Sequence, residues 1–139
     1  MGEEVVLSCN GSALVDWCSN KYNDCGNMRN IKNVTFDISV NHYPKGKDEI
    51  ALSIFITPIH DELMAMSYSA TKLLDENAWE ISIGDKNNGA KNDKGLDFHD
   101  ISINRLTGNF RTFMVSKSNE GILTQVYSGN CRKVTTKRF

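Results

Sequence analysis

Apolar residues recur at every second position along most of this chain. Val34, Phe36, Ile38 and Val40 alternate with Thr35, Asp37, Ser39 and Asn41. Val5, Leu7 and Cys9 show the same spacing near the start, and Ile50, Leu52, Ile54 and Ile56 repeat it. So do Met64, Met66 and Tyr68, then Trp79, Ile81 and Ile83, then Ile101 and Ile103. Phe110, Thr112 and Met114 and then Leu123, Gln125 and Tyr127 complete the series. A period of two puts successive side chains on opposite faces of a strand. Polar residues between the apolar ones mean one buried and one wet face, as in antiparallel sheets. The chain is therefore expected to be all-β, with about eight short antiparallel strands in a small up-and-down barrel or a sandwich. The barrel is preferred, because closure removes exposed strand edges.

Turn residues punctuate the pattern. Tyr43-Pro44-Lys45-Gly46-Lys47-Asp48 separates the second and third strands, and Thr57-Pro58-Ile59-His60-Asp61-Glu62 the third and fourth. Leu106-Thr107-Gly108-Asn109 and Ser118-Asn119-Glu120-Gly121 read as tight hairpin turns, since Gly and Asn accept positive φ. Segments 12–30 and 69–78 lack alternation. Ser12 to Trp17 is expected to be a short helical or irregular excursion, and Ala70 to Glu76 one helical turn.

A chain of 139 residues is expected to form one domain, residues 1–139. Its charge balance is nearly even, with 16 basic and 17 acidic residues. Such a balance gives no general attraction to phosphates, so nucleic-acid binding is disfavoured. The basic tail Arg132, Lys133, Lys137 and Arg138 reads as a solvated last strand. No apolar run reaches membrane-spanning length. Met1-Gly2 directly precedes a strand pattern and is expected to be a remnant left where a signal peptide was removed.

Four cysteines stand at positions 9, 18, 25 and 131. They permit three pairings. One of them, Cys9–Cys131 with Cys18–Cys25, would tie the first strand to the last and close a small loop. The spacings do not match the close pairs that hold zinc, and no C-x-x-C redox motif is present. Structural disulfides at Cys9, Cys131, Cys18 and Cys25 are expected, and with them an oxidising compartment.

Leu7-Ser8-Cys9-Asn10-Gly11 opens the chain, Ile103-Asn104-Arg105-Leu106-Thr107-Gly108 enters a hairpin, and Tyr127-Ser128-Gly129-Asn130-Cys131 nears the end. This set resembles small exported bacterial β-domain proteins with an L-x-C-x-G start, an I-x-R-x-T-G hairpin and a cysteine near the carboxyl terminus. The resemblance covers both ends of the chain and implies fold and compartment, since its members carry no assigned activity. Arg105, at a strand end, is expected to pair with a carboxylate or cap backbone carbonyls.

Catalytic signatures are missing from the sequence. His60-Asp61-Glu62 and His99-Asp100 set imidazole beside carboxylate, but neighbours on a strand face opposite sides. His42 stands apart. No nucleophile elbow or H-E-x-x-H motif occurs. The polar stretch 84–97 carries Asp85, Asn87, Asn88, Asp93 and Asp97, yet lacks EF-hand spacing. No cofactor, catalytic residue or metal site is expected. Trp17, Tyr22 and Asp24, around the Cys18/Cys25 loop, together with Asp85, Asn87, Asn88 and Asp93, are the expected contacts for a protein partner. The sequence thus points to a non-enzymatic periplasmic or secreted binding protein, of the inhibitor or immunity type, against an envelope-active enzyme or toxin. A small-ligand carrier using the barrel interior is the alternative, followed by an uncharacterised hydrolase.

Overall fold

The computed structural model describes residues 3–19, 28–83 and 98–134. The described chain is eight antiparallel strands: β1 Glu3–Ser19, β2 Arg29–Gly46, β3 Glu49–Pro58, β4 Met66–Leu73, β5 Ala78–Ile83, β6 Phe98–Asn104, β7 Asn109–Lys117 and β8 Gly121–Lys133. Their hydrogen-bonded order is β4-β3-β2-β1-β8-β7-β6-β5. Every neighbour in that order is also a neighbour in sequence, except β1 with β8. The ring is therefore an up-and-down meander whose first and last strands pair. Its open seam falls in mid-chain, between β4 and β5, and the result is a nearly closed barrel.

Inward positions follow the alternation. Val5, Leu7 and Cys9 of β1, Val34, Phe36, Ile38 and Val40 of β2, and Ile50 to Ile56 at even positions of β3 are all buried. The remaining strands add Met66, Tyr68, Trp79, Ile81, Ile101, Ile103, Phe110, Met114 and Tyr127 to the same cluster. The Phe36 ring meets Phe110 edge-on and lies tilted against Tyr127, with centroids 5.2 Å apart in both pairs. Each such large side chain removed from water contributes about 1.5–3 kcal/mol. In β8 the sequence left both faces apolar; the structure selects the odd positions, burying Gln125, Tyr127 and Cys131. Thr112, also buried, is satisfied there: the Tyr127 amide donates to its hydroxyl at 3.1 Å.

Closure depends on β1 meeting β8. The two strands pair from Leu7↔Lys133 to Ser19↔Gly121. Near the Leu7↔Lys133 end of this ladder Cys9 opposes Cys131, and the two are disulfide-bonded across a sequence separation of 122 residues. Two residues on, Gly11 opposes Gly129. A Cβ on Gly11 would lie 1.8 Å from the Ser128 carbonyl oxygen, and one on Gly129 2.3 Å from that of Asn10. Only a backbone without side chains allows this approach.

The structure corrects several expectations about length and local form. β1 and β2 are long, at 17 and 18 residues, and not short. Ser12–Trp17 continues β1 instead of forming an excursion, because all six residues pair with β8 and Ala13, Leu14 and Val15 pair with β2 as well. The apparent break comes from a bulge. Gly11 opposes Val34 and Ala13 opposes Ile31, so Lys32 and Asn33 face the single residue Ser12, with Asn33 at φ 60°. Ala70–Leu73 is strand and not a helical turn, held in register from Ala70↔Leu52 to Leu73↔Glu49. Cross-strand pairing outweighs the weak local preference. β2 likewise runs through Tyr43–Gly46, leaving Lys47 and Asp48 as the turn, with Asp48 at φ 63°.

Replacing Gly129 by Ala is expected to destabilise the protein by about 2 kcal/mol or more, through forced separation of β1 and β8. Gly46→Ala, whose new methyl would meet nothing nearer than Glu49 Oε1 at 3.8 Å, is expected to stay within about 0.5 kcal/mol of the parent. Urea midpoints for the two variants check both values. By the same measurement, a Cys9→Ala/Cys131→Ala double variant should lose about 4 kcal/mol, the loop-closure contribution of so long a loop. An unchanged midpoint would show that the ladder closes without its staple.

Candidate functional site

The antiparallel ring has two unlike ends. At the lower end the connections are residues 47–48, 74–77 and 105–108, all short. They are heavily bonded to one another. Asn104 Oδ1 accepts from the Leu106 and Thr107 amides at 2.9 and 3.0 Å. Gly108 turns the chain at φ 83°, and its carbonyl accepts from the Cys131 amide at 2.7 Å. The Asn130 side-chain amide donates to the Thr107 carbonyl at 3.2 Å and to Asn109 Oδ1 at 2.7 Å. The 103–108 hairpin is thereby fixed to the strand that carries the disulfide.

Arg105 ties this hairpin to the open seam. Its guanidinium donates to the Asp75 carbonyl at 3.0 Å and lies 4.3 Å from the centroid of the buried Trp79 ring. Its own amide donates to the Asn77 carbonyl at 2.8 Å. Of the two roles expected for Arg105, carbonyl capping is the one observed. Lys72, on β4, crosses the same seam to the Glu80 carbonyl at 2.6 Å. A cavity of about 320 Å³ beneath the hairpin is lined by Leu7, Trp79, Arg105 and Lys133 among others. Removing the brace should loosen the seam selectively. Arg105→Met is expected to cost about 1–2 kcal/mol, as a charged hydrogen bond and a cation–π contact are lost. Hydrogen exchange should then speed up in β5 while β1 and β8 keep their protection. Uniform acceleration through all strands would contradict this local role.

The strands joined by residues 20–28, 59–65 and 84–97 finish and begin at the upper end, beside the short turn 118–120. Of the expected contact residues, Trp17 is described. It stands on β1 opposite Leu123, half-buried, with its ring against Gly121, where a Cβ would come 2.8 Å from the Trp17 Cζ2 atom. Tyr22, Asp24, Asp85, Asn87, Asn88 and Asp93 lie outside the described residues, as do Cys25 and Asp97. Cys18 is disulfide-bonded, so its 3.8 Å approach to Asp16 Oδ2 is a contact without a proton to share.

The histidines are distributed over both ends. His42 is on β2 opposite Leu52, towards the lower end, whereas His99 is the second residue of β6, at the upper end. His60 lies in the 59–65 connection, where its Nδ1 accepts from the Glu62 amide at 3.2 Å. Glu62 in turn pairs with Arg29, whose guanidinium hydrogen-bonds to it and holds its carboxyl below the usual carboxylate range. This pair ties the 59–65 connection to the start of β2. Among the described residues no group of three or more His, Cys, Asp or Glu side chains is placed to hold a metal ion.

A second cavity, of about 410 Å³, opens at the upper mouth. It is lined by Met64, Met66, His99, Met114, Ser116 and Leu123, among others. Two tyrosines frame it. Tyr127 donates from its hydroxyl to the Met64 carbonyl at 3.0 Å, crossing from β8 to the 59–65 connection. Burial pushes this phenol up to about 12, partly offset by that hydrogen bond. Tyr68 donates to the Met66 sulfur at 3.6 Å and meets the His99 ring edge-on, with centroids 6.0 Å apart. Burial raises the Tyr68 phenol as well, with the nearby negative charge of Asp100 adding to the shift.

None of the sequence motifs marks this mouth, because methionines in strand alternation look like core. The available signal was the Met64-x-Met66 pair, with His99 and Met114 far along the chain. No protein-family model matches the chain, and no curated protein matches its sequence.

Proposed function

We propose that this is a non-enzymatic binding protein of the periplasm or extracellular space. It engages a protein partner through the upper end of the barrel, as an inhibitor or immunity-type protein of an envelope-active enzyme or toxin would. The observation that carries this reading is the asymmetry of the ring. Short, mutually bonded turns occupy one end, and the longer connections 20–28, 59–65 and 84–97 leave strands that finish at the other. Loops on a rigid scaffold are where recognition concentrates, because a fixed frame loses little entropy on binding.

Two further features support the reading. The Cys9–Cys131 bridge suits an oxidising compartment, in line with the resemblance to small exported bacterial proteins. The described interior is filled by Phe36, Phe110, Tyr127 and the aliphatic strands, which favours presentation of loops over enclosure of a small ligand.

Site-specific photo-crosslinking in the producing cells tests this. A photoreactive residue at Glu120, on the upper rim, is expected to yield one adduct of defined mass. The same residue at Leu106, on the lower hairpin, should yield none. Trp17→Ala in the Glu120 background should weaken the adduct by tenfold or so, the size of effect that loss of a buried interface aromatic produces. Adducts from Leu106 alone, or from neither position, would remove the proposal.

A further inference from the structure

The upper mouth also has the composition of a soft-metal site. We propose that it binds one copper(I) ion, through the thioethers of Met64, Met66 and Met114 and the imidazole of His99. This inference stands apart from partner binding and rests on the geometry of the mouth alone.

The four side chains come from separate elements and line one cavity of about 410 Å³. His99 on β6 directly opposes Met114 on β7, so both share the inward face. Tyr68 touches the Met66 sulfur at 3.6 Å and the His99 ring at 6.0 Å between centroids, which draws β4 to the same point. Met66 and Met114 are buried, while Met64 is 49% exposed at the rim. On the other side of Met114, Gln125 of β8 continues the row. Gln125 is 2% exposed, and its Oε1 has no hydrogen-bond partner among the described residues.

Donor chemistry selects the metal. Thioether and imidazole ligands suit copper(I), whereas magnesium, calcium and manganese demand oxygen donors. Among the described residues no carboxylate lines this cavity, so the described lining offers hard divalent ions nothing to neutralise them. A thioether has no thiol proton to lose and is not consumed when disulfides form. It therefore remains a ligand in a compartment where cysteines are bridged. Methionine is unbranched with three rotatable bonds, so Met64 can swing from the rim to complete the coordination.

The test uses the intact, disulfide-bonded protein. Copper(I), generated anaerobically with ascorbate, is titrated against bathocuproine disulfonate. Wild-type protein is expected to withdraw one equivalent from the chelator. Met66→Leu, Met114→Leu and His99→Gln should each weaken binding by about tenfold or more, as lost metal contacts do. Leu nearly conserves the volume of Met, so the fold should survive these changes. A second measurement needs no variant. With methyl-labelled methionine, silver(I) as a redox-inert probe should shift the Met64, Met66 and Met114 signals and leave Met28 in place. Met28 is 64% exposed and so reports indiscriminate thioether binding. Failure of wild-type protein to compete, equal binding by the variants, or a shift at Met28 alone would overturn the proposal.

Discussion

The pairing of β1 with β8 is the contact on which this barrel depends. It joins segments separated by 122 residues at the bridged cysteines, so its entropic cost is the largest in the fold. Two devices offset that cost. Gly11 and Gly129 let the backbones approach where any side chain would collide with a carbonyl. The Cys9–Cys131 bond then prevents the strands from parting and reduces the freedom of the unfolded chain. Both devices belong to the short motifs at the two ends of the sequence, and the structure gives those motifs a common purpose. The I-x-R-x-T-G hairpin serves it too, since the Gly108 carbonyl takes the Cys131 amide and a Cβ at Gly108 would lie 2.2 Å from the Cys131 oxygen.

Sealing the termini moves the weak point of the ring to mid-chain. β4 and β5 end the hydrogen-bonded order, and side chains do the work that a ladder does elsewhere. At the lower end Arg105 and Lys72 reach across to backbone carbonyls. At the upper end Tyr68 and His99 meet across the mouth, and Tyr127 anchors the 59–65 connection. Lysine on an edge strand also discourages pairing with a foreign strand. The seam is thus closed by polar bonds below and by aromatic and thioether groups above. This division leaves a cavity at the upper end.

Much of the candidate site was hidden from sequence for a simple reason. Arg105 could be singled out because it stands in a short motif with turn residues beside it. Which group it caps depends on the 74–77 connection, thirty positions away in the chain, and no local pattern encodes that neighbour. Met66, His99 and Met114 each sit in ordinary alternating strands. Alone, each reads as core. Only the register His99↔Met114 and the contact of Tyr68 with both Met66 and His99 make them one cluster.

The sequence by itself determined the all-β class, the antiparallel pairing and most of the buried face, because a period of two is a local property of the backbone. It also placed the hairpin at Thr107–Gly108, where a glycine relieves a strained turn. Tertiary structure alone decided which strands lie side by side, where the ring stays open and how far each strand runs. Residues 12–17 and 70–73 became strand through partners on other elements, against a weak local pattern. It also decided which side chains share a cavity. Hydrogen bonds between strands and packing across a closed ring involve residues far apart in the chain, and their energies exceed the local preferences that a sequence displays.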